Sequence, residues 1–128
     1  MSERSTQSQA DSNVDTPATR AHRLGDLILE KKARDLVVIE IDRISSLGDY
    51  LVIATVDSNR QLQALASELD VVMKQEGSPR LGNEGRDQGW WVLLDFGDVI
   101  VHLMQEEARE YYDLESLWAD GEVVRRSA

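Results

Sequence analysis

The sequence contains no cysteine, which excludes disulfides, thiolate metal sites and cysteine nucleophiles. It also lacks long hydrophobic runs, whereas a helix needs about 20 apolar residues to span a bilayer. We therefore expect no membrane partner. The N-terminal segment has no apolar core of the secretory type, and its acids outnumber its arginines, unlike those of an organellar transit peptide. These absences favour a soluble, cytoplasmic protein.

Basic residues are scarce: 14 Lys and Arg stand against 24 Asp and Glu, for a net charge of -10. Because neutralisation of phosphates supplies most of the affinity for nucleic acid, we expect no direct nucleic-acid binding. Residues 95–122 hold nine acids and one base, Arg109. Such a patch either attracts a basic protein or merely keeps the chain soluble.

The length of 128 residues fits one small domain that buries its own core without disulfides or metals. The polar start, rich in Ser, Thr, Gln and Asn, predicts a disordered tail over residues 1–20. The domain is expected over residues 21–122, followed by a C-terminal tail over residues 123–128.

Hydrophobic periodicity predicts the element order α-β-β-α-β-β-α. Thr16 before Pro17 is typical of a helix start, and Ser58 with Gln61 forms a capping box before the second helix. "LVVIEID" alternates as a strand does, and "YLVIATV" is apolar on both faces, as a central strand is. The fold class is therefore α/β, a single domain with a mixed β-sheet and flanking helices.

The stretch "WVLLDFGDVIVHLM" (Trp91 to Met104) is predicted as a β-hairpin with a two-residue loop at Phe96-Gly97. This register pairs Asp95 with Asp98 and puts six side chains on one face: Trp91, Leu93, Asp95, Asp98, Ile100 and His102. The opposite face is wholly apolar and is predicted as core: Trp90, Val92, Leu94, Val99, Val101 and Leu103. Since facing carboxylates repel, the two aspartates would face water or an external cation.

The acidic residues and His102 allow two catalytic interpretations. Glu40 and Asp42, with Asp95 or Asp98, would imitate the acidic trio that holds magnesium in nucleotidyltransferases. That chemistry also needs a glycine-rich turn opening a helix to cradle phosphate, and "SSLGDY" leads into a strand instead. His102 with Glu106 would be a general base, but no nucleophile accompanies it, so a hydrogen-bonded strand histidine beside Trp91 is favoured.

The third interpretation is a protein-docking surface. Aromatic residues lie in or beside the acidic segment: Trp91, Phe96, Tyr111, Tyr112 and Trp118. Trp and Tyr often anchor interfaces, and aspartate complements a basic partner. Some aromatics are nevertheless expected in the core: Trp118 is predicted to pack inward, with one tyrosine of the tandem pair buried and the other exposed.

Two long stretches, "DYLVIATVDSNRQLQALA" and "WVLLDFGDVIVHLMQEEAREYYDLESLW", closely resemble the bacterial ribosomal silencing factor family, also called Iojap-like. The resemblance covers roughly Leu24 to Asp120. The chain departs from the family pattern at Trp90, where a polar or basic residue is common, and in the loop from Ser78 to Gly89.

The resemblance implies a fold similar to nucleotidyltransferases without the catalytic set, and hence no enzyme activity, metal or cofactor. It implies binding to the large ribosomal subunit through ribosomal protein L-fourteen, which blocks joining of the small subunit and lowers translation when nutrients are short. The residues expected at the contact are Trp91, Leu93, Asp95, Phe96, Asp98, His102, Tyr111 and Tyr112. A role in large-subunit assembly and a homodimer remain open alternatives.

Overall fold

The computed structural model describes residues 16–127. Its two long helices begin at the caps that the sequence predicts. Helix α1 (Pro17–Glu30) follows Thr16, whose Oγ1 accepts a hydrogen bond from the amide of Thr19 at 3.1 Å. Helix α2 (Asn59–Gln75) follows Ser58, whose Oγ accepts from the amide of Gln61 at 3.0 Å. Both predicted starts are confirmed. Of the tail predicted over residues 1–20, residues 1–15 lie outside the described part and residues 17–20 are helical.

Six strands form one sheet in the order β3-β4-β5-β2-β1-β6. Their bounds are β1 Arg34–Glu40, β2 Tyr50–Val56, β3 Gly82–Glu84, β4 Trp91–Asp95, β5 Val99–Gln105 and β6 Glu122–Ser127. Strands β2 and β5 are parallel, and every other neighbouring pair is antiparallel. The predicted α/β domain with a mixed sheet is confirmed, and "YLVIATV" is the buried inner strand β2.

Two strands were not predicted. The C-terminal tail expected over residues 123–128 is wrong for residues 123–127, which belong to strand β6 beside β1. The side chain of Arg125 fixes this strand to α1 by donating to the carbonyl of His22 at 3.1 Å and to Asp26 at 2.8 Å. These contacts join residues about a hundred positions apart, so no local pattern reveals them. Strand β3 is only three residues long and lies in a polar loop.

The main core lies between the sheet and helices α1 and α2, on what we call the helix side. Leu24 and Ile28 of α1 and Leu65 and Leu69 of α2 are fully buried there. The sheet contributes alternate residues from each inner strand, among them Val38, Val52, Val92, Leu94, Val101 and Leu103. The apolar face predicted for the hairpin is therefore core, with the exception of Trp90 described below.

The other side of the sheet is covered over only part of its width. Helices α3 (Glu106–Tyr112) and α4 (Leu114–Leu117) lie against β1 and β2 through Ala108 and Leu114. Beyond them, at β4 and the start of β5, four side chains remain half-exposed: Trp91, Leu93, Asp95 and Ile100. These four with Tyr112 are called the open face. No helix within residues 16–127 is long and apolar enough to cross a membrane.

Candidate functional site

The hairpin that carries the open face has a register different from the predicted one. The amide of Phe96 donates to the carbonyl of Val99 at 2.9 Å, so the two-residue loop is Gly97-Asp98. Gly97 takes φ 89° at the first loop position, which favours glycine. The loop is one residue later than predicted, so the partner strand shifts by two: Asp95 pairs with Ile100, Leu93 with His102 and Trp91 with Met104.

A shift of two residues preserves which face each side chain occupies, because the strand repeat is two residues. Trp91, Leu93 and Asp95 therefore share a face with Ile100 and His102, as predicted. The carboxylate of Asp95 does not oppose a second acid, and its Oδ1 accepts from the amide of Gly97 at 2.8 Å. The predicted repulsion between two facing carboxylates is absent.

Two residues expected at the contact surface lie elsewhere. Phe96 continues the alternation of Val92 and Leu94 and is buried in the core on the helix side, with 5% exposure. Asp98, in the loop, forms an ion pair with Arg20 of α1 at 2.6 Å. Neither side chain therefore lies on the open face. Strand alternation buries Phe96. Asp98 lies in the loop rather than in a strand, and its side chain turns towards α1.

His102 lies beneath the open face and is 6% exposed. Its Nδ1 accepts a hydrogen bond from Nε1 of Trp91 at 2.9 Å, which confirms the prediction of a hydrogen-bonded strand histidine beside Trp91. A neutral imidazole that accepts at Nδ1 carries its proton on Nε2. Burial lowers the pKa of His102 to about 4, so the ring is neutral at physiological pH and remains an acceptor for Trp91.

The indole of Trp91 is part of an aromatic cluster. Its ring lies 4.4 Å from that of Tyr112, and Tyr112 in turn contacts Tyr111 at 5.0 Å and Trp90 at 5.9 Å. Tyr111 is 77% and Tyr112 41% exposed, so the expectation that one of the pair is buried is wrong. Trp118 packs inward as predicted, against a buried apolar cluster that includes Ala108 and Leu114.

Trp90 was predicted in the core on the helix side, and this is wrong. It packs instead against the cluster on the other side of the sheet, which it shares with Trp91. The cause is that Trp90 precedes β4, where Gly89 takes φ 76° and strand alternation does not extend. Sequence reasoning missed Glu84 and Gln88, for which the only local signal was the unusual loop from Ser78 to Gly89. It put Ile100 on the correct face but did not include it among the contact residues.

A groove of about 280 Å³ opens where this loop meets the open face. Its walls are the rings of Trp90, Trp91 and Tyr112, and its polar residues are Glu84 and Gln88. Glu84 pairs with Leu93 across β3 and β4, which places its side chain on the open side of the sheet. Within residues 16–127, the side chain of Glu84 has no hydrogen-bond or ion-pair partner.

The acidic segment is only partly neutralised by the chain itself. Glu106 pairs with Arg34 at 2.7 Å, and Glu115 pairs with Arg109 at 3.0 Å. Among the described residues, the exposed Glu107 and Glu110 form no ion pair. The surface beside the open face therefore keeps unpaired negative charge.

The residues of the catalytic interpretations are not brought together. Glu40 accepts from the hydroxyl of Tyr50 at 3.4 Å on the helix side, whereas Asp95 lies on the opposite side of the sheet. Asp98, the alternative third acid, is paired with Arg20 of α1. His102 is bonded to Trp91, and Glu106 to Arg34. Over residues 16–127, no group of three or more His, Asp and Glu side chains is arranged to hold a metal ion.

Comparisons with known proteins agree with this geometry. The family described as "Ribosomal silencing factor during starvation" matches residues 14–128. A ribosomal silencing factor of Chromobacterium violaceum is 44% identical over 87 residues, which cover 68% of this chain and 71% of the relative. A crystal structure of a protein from the same organism is 38% identical with a TM-score of 0.74, covering 78% of this chain and 84% of that one.

A more distant relative is the mouse protein named "Mitochondrial assembly of ribosomal large subunit protein 1", which is 37% identical over 98 residues. These residues cover 74% of this chain and 43% of the mouse protein.

The fold and the open face define a single α/β domain whose mixed sheet is left partly uncovered on one side. The chain belongs to the ribosomal silencing factor family, as the match over residues 14–128 shows. The resemblance inferred from the two long motifs is confirmed. The family's role is the silencing of ribosomes.

Proposed function

We propose that the open face binds ribosomal protein L-fourteen of the large subunit and thereby blocks joining of the small subunit. Translation in the cytoplasm would fall by this route when nutrients are short. The observation that carries the proposal is the open face itself, an aromatic and aliphatic surface on an otherwise well-covered sheet. Contiguous exposed apolar surface on a soluble domain commonly marks an interaction site.

The composition of the open face suits a basic protein partner. Trp91 and Tyr112 supply large, rigid contact areas of the kind that dominates binding energy at interfaces. Asp95 and the unpaired Glu84 supply negative charge there, and the unpaired Glu107 and Glu110 supply more on α3, the helix that carries Tyr112. Opposite charges speed encounter and select the partner, while the apolar centre supplies most of the affinity.

The action is proposed to be steric, without bond making or breaking. The support is that Asp95 lies on the opposite side of the sheet from Glu40, and that Asp98, the alternative third acid, is paired with Arg20. A homodimer formed through the same open face would compete with ribosome binding, so the monomer is proposed as the active form.

Co-sedimentation with purified large subunits tests the proposal. Leu93 is half-exposed at the centre of the open face, so Leu93→Lys places a positive charge against the basic partner without opening the core. We expect this change to weaken binding at least about tenfold, equivalent to about 1.4 kcal/mol. Val71→Lys is the matched control, because Val71 is 53% exposed on α2, on the other side of the sheet.

The two variants separate the outcomes. Loss of binding in Leu93→Lys with wild-type binding in Val71→Lys supports the proposal. Equal binding by wild type and Leu93→Lys would mean that the open face is not the contact surface, and no binding by wild type would remove the large subunit as the partner.

A second candidate function is assembly of the large subunit, which the name of the mouse relative favours. The same open face would serve it. Depletion of the protein separates the two: a deficit of mature large subunits during growth in rich medium indicates assembly, and normal subunit levels with excess joining during starvation indicate repression.

A further inference from the structure

The groove between the open face and the loop from Ser78 to Gly89 has the chemistry of a site for one cationic side chain. We propose that it binds the guanidinium group of an arginine on the protein partner. This inference rests on the proposed function, in that the arginine belongs to the docked protein. It goes further by assigning a defined pocket and ligand to residues outside the two family motifs, namely Glu84, Gln88 and Trp90.

Three aromatic rings line the groove and pack against one another, with Tyr112 at centroid distances of 5.9 Å from Trp90 and 4.4 Å from Trp91. The rings of Trp90 and Tyr112 are inclined by 65°, and those of Trp91 and Tyr112 by 44°. The negative faces of such rings attract a cation placed within about 6 Å, and tryptophan is the strongest of them. The groove volume of about 280 Å³ accommodates a long side chain whose methylene stem lies along the rings.

Glu84 completes the site with a formal negative charge. It lines the groove, lies opposite Leu93, and has no ion-pair partner within residues 16–127. The two arginines of the same loop are engaged elsewhere: Arg80 and Arg86 both bond to Asp70 of α2. The groove therefore holds an uncompensated carboxylate that a partner's cation would neutralise.

Arginine suits the groove better than lysine. A guanidinium is planar and weakly hydrated, stacks on aromatic faces, and presents paired N–H donors to a carboxylate. An ammonium is compact and strongly hydrated, so it loses more on leaving water.

The wall formed by the loop is held in place before any ligand binds. Gly85 takes φ 88° and lies so close to the carbonyl of Trp91 that a side chain would not fit. Gln105 of β5 donates from its backbone to the carbonyl of Trp90 and from its side chain to that of Gly89, both at 2.8 Å. A site ordered in this way loses little entropy on binding.

Nuclear magnetic resonance of the whole chain tests the proposal without the ribosome. N-acetyl-arginine amide is titrated while the indole N–H signals of Trp90 and Trp91 are followed, with N-acetyl-citrulline amide as the neutral ligand of the same shape. We expect saturable shifts with the arginine compound and an affinity about tenfold or more lower for the citrulline compound. Equal shifts with both compounds, or none with either, would overturn the proposal.

Variants locate the site. Glu84→Gln and Trp90→Ala are each expected to weaken arginine binding about five- to tenfold, because each removes one element of the groove. Glu107→Gln is the matched control, since it removes an equally exposed, unpaired charge that does not line the groove. Unchanged binding in Glu84→Gln and Trp90→Ala, or equal loss in Glu107→Gln, contradicts the assignment. Tighter binding of N-acetyl-lysine amide than of the arginine compound to the wild type also contradicts it.

Failure here and failure of the proposed function are distinguishable. A chain that co-sediments with large subunits but does not bind the arginine compound at this groove keeps the docking face and loses the arginine site. A chain that binds the arginine compound but does not co-sediment keeps the site and loses the ribosomal partner.

Discussion

Trp91 on the open face donates its indole N–H to Nδ1 of His102, which lies beneath that face, at 2.9 Å. His102 is nearly inaccessible to a partner, whereas Trp91 is half-exposed and contacts Tyr112. His102 thus positions Trp91 from below. An aromatic anchor held in one orientation before binding loses less conformational entropy on docking.

Substitutions of His102 are expected to lower the free energy of unfolding. The loss depends on whether the new side chain accepts the hydrogen bond from Trp91. His102→Ala leaves a cavity and an unpaired indole N–H, and should reduce the free energy of unfolding by about 3 kcal/mol. His102→Asn keeps an acceptor near the position of Nδ1 and should cost about half as much. Urea unfolding measures both values, and equal losses would show that the hydrogen bond to Trp91 contributes nothing.

The low pKa of His102 predicts a loss of stability in mild acid. The folded-state pKa of about 4 lies below the unfolded value of about 6.5, so the unfolded chain binds the proton more readily. The contribution of neutral His102 to the free energy of unfolding is complete above about pH 6.5 and is lost as the pH falls towards 4. Between pH 7.5 and pH 5 the wild type should lose about 2 kcal/mol that His102→Asn does not lose. Parallel pH profiles of the two proteins would contradict this assignment.

Asp98 is expected to act in the fold rather than at the contact surface. Its carboxylate pairs with Arg20, whose side chain is 12% exposed, while Asp98 itself is 52% exposed. Solvent screening limits such a pair, so Asp98→Asn should lower the free energy of unfolding by no more than about 1 kcal/mol. Binding to large subunits should stay within about twofold of wild type. A tenfold loss of binding without a stability change would place Asp98 in the contact.

Strand β6 is expected to contribute to stability through Arg125. Arg125→Ala removes the bonds to His22 and Asp26 and should cost about 1 kcal/mol in thermal or urea unfolding. The neighbouring Arg126 is exposed and forms no ion pair within the described residues, so Arg126→Ala is the control and should be neutral. Equal effects of the two substitutions would mean that β6 is not fixed to α1 in solution.

The sequence predicted the features whose signals are local. The caps at Thr16 and Ser58 depend on side chains three residues from their partners, and strand alternation put Trp91 and Leu93 on the correct face. The hairpin register could not be derived, because either residue before or after Gly97 completes a plausible two-residue loop. The predicted face was still correct, because the register shifted by two residues and the strand repeat is two residues.

Features that depend on distant contacts were beyond local reasoning. Strand β6 exists through pairing with β1, and Asp98 points to Arg20, which is 78 positions away in the chain. Trp90 was misplaced because strand alternation was extended past the bend at Gly89. The groove is formed by the misplaced Trp90 and the unpredicted β3, so no sequence pattern indicated it directly.

Formation of joined ribosomes on a density gradient tests whether the open face blocks subunit joining. Purified subunits are mixed with wild type, Leu93→Lys or Val71→Lys at equal concentration, and the joined fraction is measured. Wild type and Val71→Lys should lower the joined fraction equally, and Leu93→Lys should leave it near the level without added protein. Blockage by Leu93→Lys as complete as by wild type would contradict the account.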